Sequence, residues 1–394
     1  MADTQSSNKL LLTGAQVFDP STLGFQRWDV RIGDGKILDV GPTLAARAGE
    51  PVQDCRGKLL LPGLVDFHLH CFRQGQVLSV DAEDVAPCAG TTTFVDGGSS
   101  GSMNFQAFRE HVIEPADVRI LAFLNISAIG MVSVGASTVS FFENDDDRLL
   151  DVASAIEVIE KNRDILVGVK VRMYTGLASL AALRNGREVA ERTRLPMMVH
   201  IAPGPPSFED ILPFLRAGDI VTHIYHGGAD SLVNANGQVR PAFNEARTRG
   251  VEFDVGLDRV HTSFAVARAG LAAGFLPHYL GTDMTLLNRR LTVDVPTTIS
   301  KMVALGLPLE TALTAATAGP AAKVGLGKII GGVEPGMEAD LAICELCEGN
   351  FVYKDTYGND CRATRRLVPL QTLRRGKPLE KIVRKIRKYD FLMK

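Results

Sequence analysis

His68 and His70 stand two residues apart at the end of the largely apolar run 59–67. On an extended strand, residues i and i+2 share a face. Both imidazoles can therefore reach one divalent ion. Asp66 falls on the same side of that regular strand, where it can orient a ligand from behind. His200 closes the apolar stretch Met197-Met198-Val199, and His223 closes Ile220-Val221-Thr222. Asp283 follows Tyr279-Leu280-Gly281-Thr282. Imidazoles and a carboxylate suit metal-assisted hydrolysis. A divalent ion lowers the pKa of a bound water and polarises a carbonyl, and a neighbouring Asp can take up the proton. For Asp283 the competing reading is a cap on the next helix.

Lys170 lies inside the apolar segment Ile165-Leu166-Val167-Gly168-Val169-Lys170-Val171. Burying an ammonium there is costly. Three readings are open. The lysine can pair with a nearby acid, or it can have a depressed pKa and form a Schiff base. It can also add carbon dioxide when neutral, giving a carbamate that bridges two divalent ions.

These side chains need elements that bring strand ends together. Short apolar stretches near 61–67, 91–96, 119–125, 165–172, 197–201, 219–223, 251–256 and 278–282 read as eight buried strands. Helical patterns alternate with them, as in Asp151–Lys161 and in the segment that Ser207 would cap. That alternation argues for a parallel sheet, and eight units argue for a closed (β/α)8 barrel with its active site at the C-terminal strand ends. Residues 9–60 read instead as short strands separated by Gly-containing turns such as Gly33-Asp34-Gly35. β character returns after residue 330. The predicted fold is α/β: a TIM barrel over 61–329 and a small discontinuous β-sandwich domain from 1–60 and 330–394.

Composition narrows the function class. The chain has 394 residues, 45% of them hydrophobic, and a net charge of -2. No nucleic-acid footprint is expected from that charge, and no apolar run is long enough for a membrane span. The polar N-terminus lacks a signal-peptide pattern. Cys55, Cys71, Cys88, Cys344, Cys347 and Cys361 are scattered, unlike a disulfide framework, which points to a reducing, cytoplasmic setting. Cys344 and Cys347 have CxxC spacing without a second pair nearby and read as ordinary thiols. From Gln371 onward the chain holds nine Lys or Arg against Glu380 and Asp390. With Ile382, Val383 and Ile386 at helical spacing, this segment reads as a basic helix packed on its own protein or a neighbouring subunit. A membrane surface or acidic partner is the alternative.

The segment Pro62-Gly63-Leu64-Val65-Asp66-Phe67-His68-Leu69-His70, followed in order by Lys170, His200, His223 and Asp283, resembles the amidohydrolase superfamily. The resemblance covers nearly the whole chain, including Gly336-Met337-Glu338-Ala339-Asp340-Leu341. It implies a distorted (β/α)8 barrel with two divalent metal ions, zinc by default and manganese or iron as substitutes. It also implies that His68, His70 and Asp283 hold the more buried ion and that His200 and His223 hold the other. N6-carboxylated Lys170 and a hydroxide would bridge them, and Asp283 would act as general base. The segments 89–101, 122–127, 168–173 and 250–256 resemble more narrowly the dihydroorotase-like deacetylase branch. That branch implies removal of an acetyl group from a small N-acetyl amino acid or O-acetyl 2-hydroxy acid.

Two loops depart from the branch pattern. After Gly256 the chain reads Leu257-Asp258-Arg259-Val260-His261, where a His and small residues would follow directly. Asp283 is followed by Met284, where Leu-His is more usual. Both loops face the substrate. Arg259 and His261 are therefore candidate substrate contacts. Arg172, two residues after Lys170, is placed for a substrate carboxylate or an internal ion pair. His226 is a substrate contact or a loop histidine. Ser99, Ser100 and Ser102 read as a flexible Gly-rich loop, with a phosphate cradle as the alternative. The expected protein is thus a metal-dependent hydrolase acting on a small acylated substrate, a homo-oligomer with no nucleic-acid or membrane partner. A cyclic amidase of the dihydroorotase or hydantoinase kind is the nearest rival, and a non-catalytic scaffold the more distant one.

Overall fold

The computed structural model describes residues 9–135, 141–177, 179–257 and 260–380. Five strands come first: β1 (Leu10–Asp19), β2 (Gly24–Gly33), β3 (Lys36–Gly41), β4 (Val52–Asp54) and β5 (Leu59–Pro62). Asp34 and Gly35 both take positive φ, 53° and 77°. That is the two-residue hairpin geometry whose twist matches the flanking strands. Seven parallel strands follow: β6 (Leu64–Leu69), β7 (Thr91–Asp96), β8 (Arg119–Asn125), β9 (Leu166–Arg172), β10 (Met197–His200), β11 (Ile220–Thr222) and β12 (Glu252–Asp254). The chain ends in β13 (Leu341–Lys354), β14 (Asp360–Arg374) and the short β15 (Lys377–Pro378).

Strands from both ends of the chain share one eight-stranded sheet, in the order β15-β14-β13-β5-β1-β2-β3 with β4 on β1. Leu12, Val30, Ile32, Leu60, Leu341 and Ile343 form its own apolar cluster. Gly63 alone separates β5 in this sheet from β6 in the parallel one. The two ends of the chain thus meet where the barrel begins.

The parallel sheet runs in simple sequence order from β6 to β12. The expected eighth strand is not a regular strand. Residues 278–284 instead make single parallel bridges, Tyr279 to Asp254 and Met284 to Leu69. Hydrogen bonds from Val255 N to Tyr279 O (3.1 Å) and from Asp283 N to His68 O (2.6 Å) tie the segment to both edges. Closure through an irregular segment makes the α/β barrel a distorted one. Asp283 has φ of 47°, so the chain leaves extended geometry where its carboxylate is needed.

The barrel floor is packed by Val65, Phe67, Val95, Leu121, Phe123, Met198, Ile220 and Tyr279. Phe67 stacks on Tyr279 at 4.1 Å. Bulky layers of this kind make the barrel interior a core rather than a pore, and confine polar side chains to its upper end. Outside the barrel, Asp151 caps Val152–Lys161 by accepting from Ser154 N (3.0 Å). Ser207 caps Phe208–Ile211 in a reciprocal capping box with Asp210.

Gln371–Arg374 belongs to β14 rather than to a terminal helix. Pairing with β13 across the whole sheet edge overrides the local charge pattern. Ile382, Val383 and Ile386 lie outside the described residues. All six cysteines are unbonded, with Cys344 buried at the start of β13 and Cys347 half-buried. No helix among the described residues is long and apolar enough to cross a membrane.

Candidate metal centre

His68 and His70 do reach one point. Their Nε2 atoms lie 3.3 Å and 3.1 Å from Asp283 Oδ1. The strand that carries them is not regular, however. The pairing of β6 with β7 shifts between Asp66 and Leu69. Phe67 packs in the barrel floor, and the histidines after it turn toward the site. Irregularities of this kind re-aim side chains beside active sites. Asp66 supports this site from behind, its Oδ1 accepting from His68 N (3.4 Å). Its carboxylate accepts from Thr282 N (3.0 Å) and Thr282 Oγ1 (2.7 Å). It anchors the residue before Asp283, and burial pushes its carboxyl up to about 7.

The imidazoles are oriented from behind. His68 Nδ1 lies 3.2 Å from Asp254 Oδ2 and 3.0 Å from Thr222 Oγ1. Thr222 Oγ1 donates to the same Asp254 oxygen (2.7 Å). His70 Nδ1 lies 2.8 Å from Ser99 Oγ, whose hydroxyl donates to Asp96 Oδ2 (2.8 Å). His223 Nδ1 lies 2.8 Å from the Gly256 carbonyl. In each case the network assigns the proton to Nδ1 and leaves the Nε2 lone pair for a metal. Burial holds His68, His200 and His223 well below the usual histidine range, so they are neutral, as ligation requires. Burial also raises Asp254, to about 6.

His200, His223 and His261 form a second group. Ring centroids are 4.3 Å apart for His200–His223, 4.7 Å for His200–His261 and 4.3 Å for His223–His261. His223 joins the two groups, since its Nε2 is 3.7 Å from Asp283 Oδ2. His223 has φ of 73°. A non-glycine residue there costs on the order of 1–3 kcal/mol, and such strain gathers at functional sites.

Lys170 is fully enclosed. Its Nζ is 3.1 Å from His68 Nε2 and 3.4 Å from Met198 Sδ. Burial pushes its ammonium down to about 8 against the pull of Asp283. A more readily neutral amine is what carbon dioxide capture or Schiff-base chemistry needs.

Two side groups of donors thus converge: His68, His70 and Asp283, and His200, His223 and His261. The buried His223 Nε2 has no hydrogen-bond partner within the described protein. These residues fit divalent ions of the kind that imidazole and carboxylate ligands select.

The remaining candidates divide. Arg172 pairs with buried Glu143 (2.6 Å), the ion-pair reading of that residue. His226 is buried and its Nδ1 accepts from Gly228 N (3.3 Å), so it braces its own loop. Arg259 lies outside the described residues. Ser99 and Ser100 are buried. Ser99 is spent on His70 and Asp96, so this part of the Gly-rich loop is held in place rather than free. Gly97 and Gly98 there are sterically required. A Cβ on Gly97 would meet His68 Cδ2 at 2.2 Å, and one on Gly98 would meet Lys170 Cβ at 2.6 Å.

Sequence reasoning missed Asp254 and Asp96 as site residues. Each is a buried acid that closes its strand, β7 or β12, the same strand-end position that singles out His200.

Comparison with known proteins follows the same lines. The Amidohydrolase family profile matches residues 59–377. A deacetylase of Agrobacterium fabrum is 32% identical over 86% of this chain and 83% of its own length. A deacetylase of Brucella anthropi is 30% identical over 94% of this chain and 92% of its own. The crystal structure of a dihydroorotase superposes with a TM-score of 0.86 at 29% identity, covering 94% of this chain and 97% of that one.

Proposed function

This chain belongs to the amidohydrolase family and is a metal-dependent hydrolase, and from that premise we propose that it deacetylates a small N-acetyl amino acid or O-acetyl 2-hydroxy acid at a binuclear centre. His68, His70 and Asp283 would hold one ion, and His200 and His223 the other, with zinc the default and manganese or iron able to substitute. Lys170 would lie between them as a carbamate. Its neutral Nζ forms a bond to the carbon of carbon dioxide and releases one proton to solvent. When bound, the ions supply water activation and carbonyl polarisation.

The observation that carries this reading is the approach of His68 and His70 to one oxygen of Asp283, with His223 facing the other. The protein groups divide the remaining work. Asp254, Ser99 and the Gly256 carbonyl hold the imidazoles in one tautomer. Asp66 fixes Thr282 and so the height of Asp283. The Asp283 carboxylate takes a proton from the attacking water and hands it to the departing amine nitrogen or alkoxide oxygen. The buried walls exclude bulk water.

A panel of N-acetyl-D- and L-amino acids, O-acetyl 2-hydroxy acids, dihydroorotate and hydantoins tests this with metal-loaded enzyme. Turnover of acetylated compounds is expected, with kcat reduced at least 10³-fold (roughly 4 kcal/mol) in Asp283→Asn. Turnover of the cyclic compounds alone would favour the cyclic amidase reading, which the dihydroorotase likeness supports. No turnover, with no metal retained, would favour a scaffold.

A further inference from the structure

The family-like ligand set leaves His261 unused. It stands in the seventh loop, where this chain departs from the branch pattern. We infer that His261 is a third imidazole ligand of the second ion, beside His200 and His223. This rests on the binuclear reading above.

Three observations carry it. A ligand atom from each of the three residues lies within 4.8 Å of the others. Bonds of about 2.0–2.1 Å to one ion would draw three nitrogens to roughly 3.4 Å apart, a contraction that side-chain rotation supplies. All three residues are buried, which suits ligands better than an adaptable substrate contact. His223 is already committed through Nδ1 to Gly256, which aims Nε2 into the group.

The fold also fixes His261 from both sides. Thr262 N donates to Thr356 Oγ1 (3.2 Å), and Thr356 Oγ1 donates back to Thr262 O (2.7 Å). On the other side, Tyr357 Oη donates to Val260 O (3.4 Å). Phe264 N donates to Asp355 Oδ2 (3.1 Å). Asp355, Thr356 and Tyr357 form the turn between β13 and β14. The sheet built from the chain ends therefore reaches over the barrel mouth and holds this histidine in place. With three imidazoles, the second ion would depend less on the carbamate of Lys170.

Cobalt(II) titration of metal-stripped protein tests the assignment, read by metal content after gel filtration and by visible absorption. Wild type should retain two equivalents and His261→Ala one. His261→Cys should show a sulfur-to-cobalt charge-transfer band that wild type lacks, because a thiolate replaces the imidazole as ligand. Two equivalents held with unchanged affinity in His261→Ala would overturn the inference. So would loss of an equivalent in His261→Ala without the band in folded His261→Cys, since that pattern marks a packing role. If wild type itself retains one equivalent, the binuclear reading fails. His261 then remains a ligand only if that equivalent weakens at least tenfold in His261→Ala, and is excluded if it does not.

Discussion

Asp254 shows how much of this site depends on groups that never touch an ion. It accepts from His68 Nδ1, Thr222 Oγ1 and Gly281 N at once. Three donors on one buried carboxylate leave His68 with a single tautomer and a single ring orientation. Replacing the acid by an amide turns part of that acceptor into a donor facing donors. Asp254→Asn should therefore weaken the His68–His70–Asp283 ion about 10- to 100-fold, measured by chelator competition, with the second ion unaffected. Equal weakening of both ions would mean a general folding defect instead. The candidate ligands were legible in the sequence because His68 and His70 combine an unusual residue type with strand-end position and i, i+2 spacing. Their orientation was not. The partner of His68 lies 186 residues away in sequence, and no local pattern encodes such a contact.

At the scale of elements, the site requires close backbone approach. The turn after β7 passes so near His68 and Lys170 that only Gly97 and Gly98 fit. Gly97→Ala would place a methyl 2.2 Å from His68 Cδ2. Overlap of that size forces the imidazole or the turn to move, and overpacking of this kind costs about 1–3 kcal/mol. The expected result is loss of the ion held by His68, read as metal content, with a modest fall in melting temperature. Unchanged metal content would show that β7 can retreat. Strand alternation put Asp66 behind the histidines, and its carboxylate there accepts from His68 N and from Thr282, the residue before Asp283; the pairing shift between Asp66 and Leu69 was not legible. The eighth segment was placed correctly between β12 and β6, but its polar ending, Gly281-Thr282-Asp283, gives up regular pairing to reach Asp66 and the histidines. Apolar periodicity finds strands that pack and is silent where polar contacts bend them.

At the scale of the whole molecule, buried titrating groups pull stability in opposite directions with pH. The alternation of strands and helices and the return of β character near residue 330 made the two-sheet plan readable, but the burial of individual charges depends on how those sheets close. Burial holds His226 down to about 4, from an ordinary 6.5. The unfolded chain therefore binds the extra proton between those values. The contribution of His226 is intact above pH 6.5 and is lost as pH falls through 4. Asp66 and Asp254 behave in the opposite way. Their folded values, about 7 and about 6, exceed the ordinary 3.8. The stability they confer is intact below 3.8 and lost as pH rises through 6 to 7. Total stability of the metal-free protein thus mixes opposed slopes between pH 4 and 6.5, and a single pH profile would not separate them. Comparison with His226→Gln does. Relative to that variant, metal-free wild type should lose about 3 kcal/mol between pH 7 and pH 4, measured by urea unfolding. A difference that stays constant with pH would show that His226 gains a proton in the folded state as easily as in the unfolded one. The loop after β11 would then open to solvent, and the buried wall beside His223 would not exclude water.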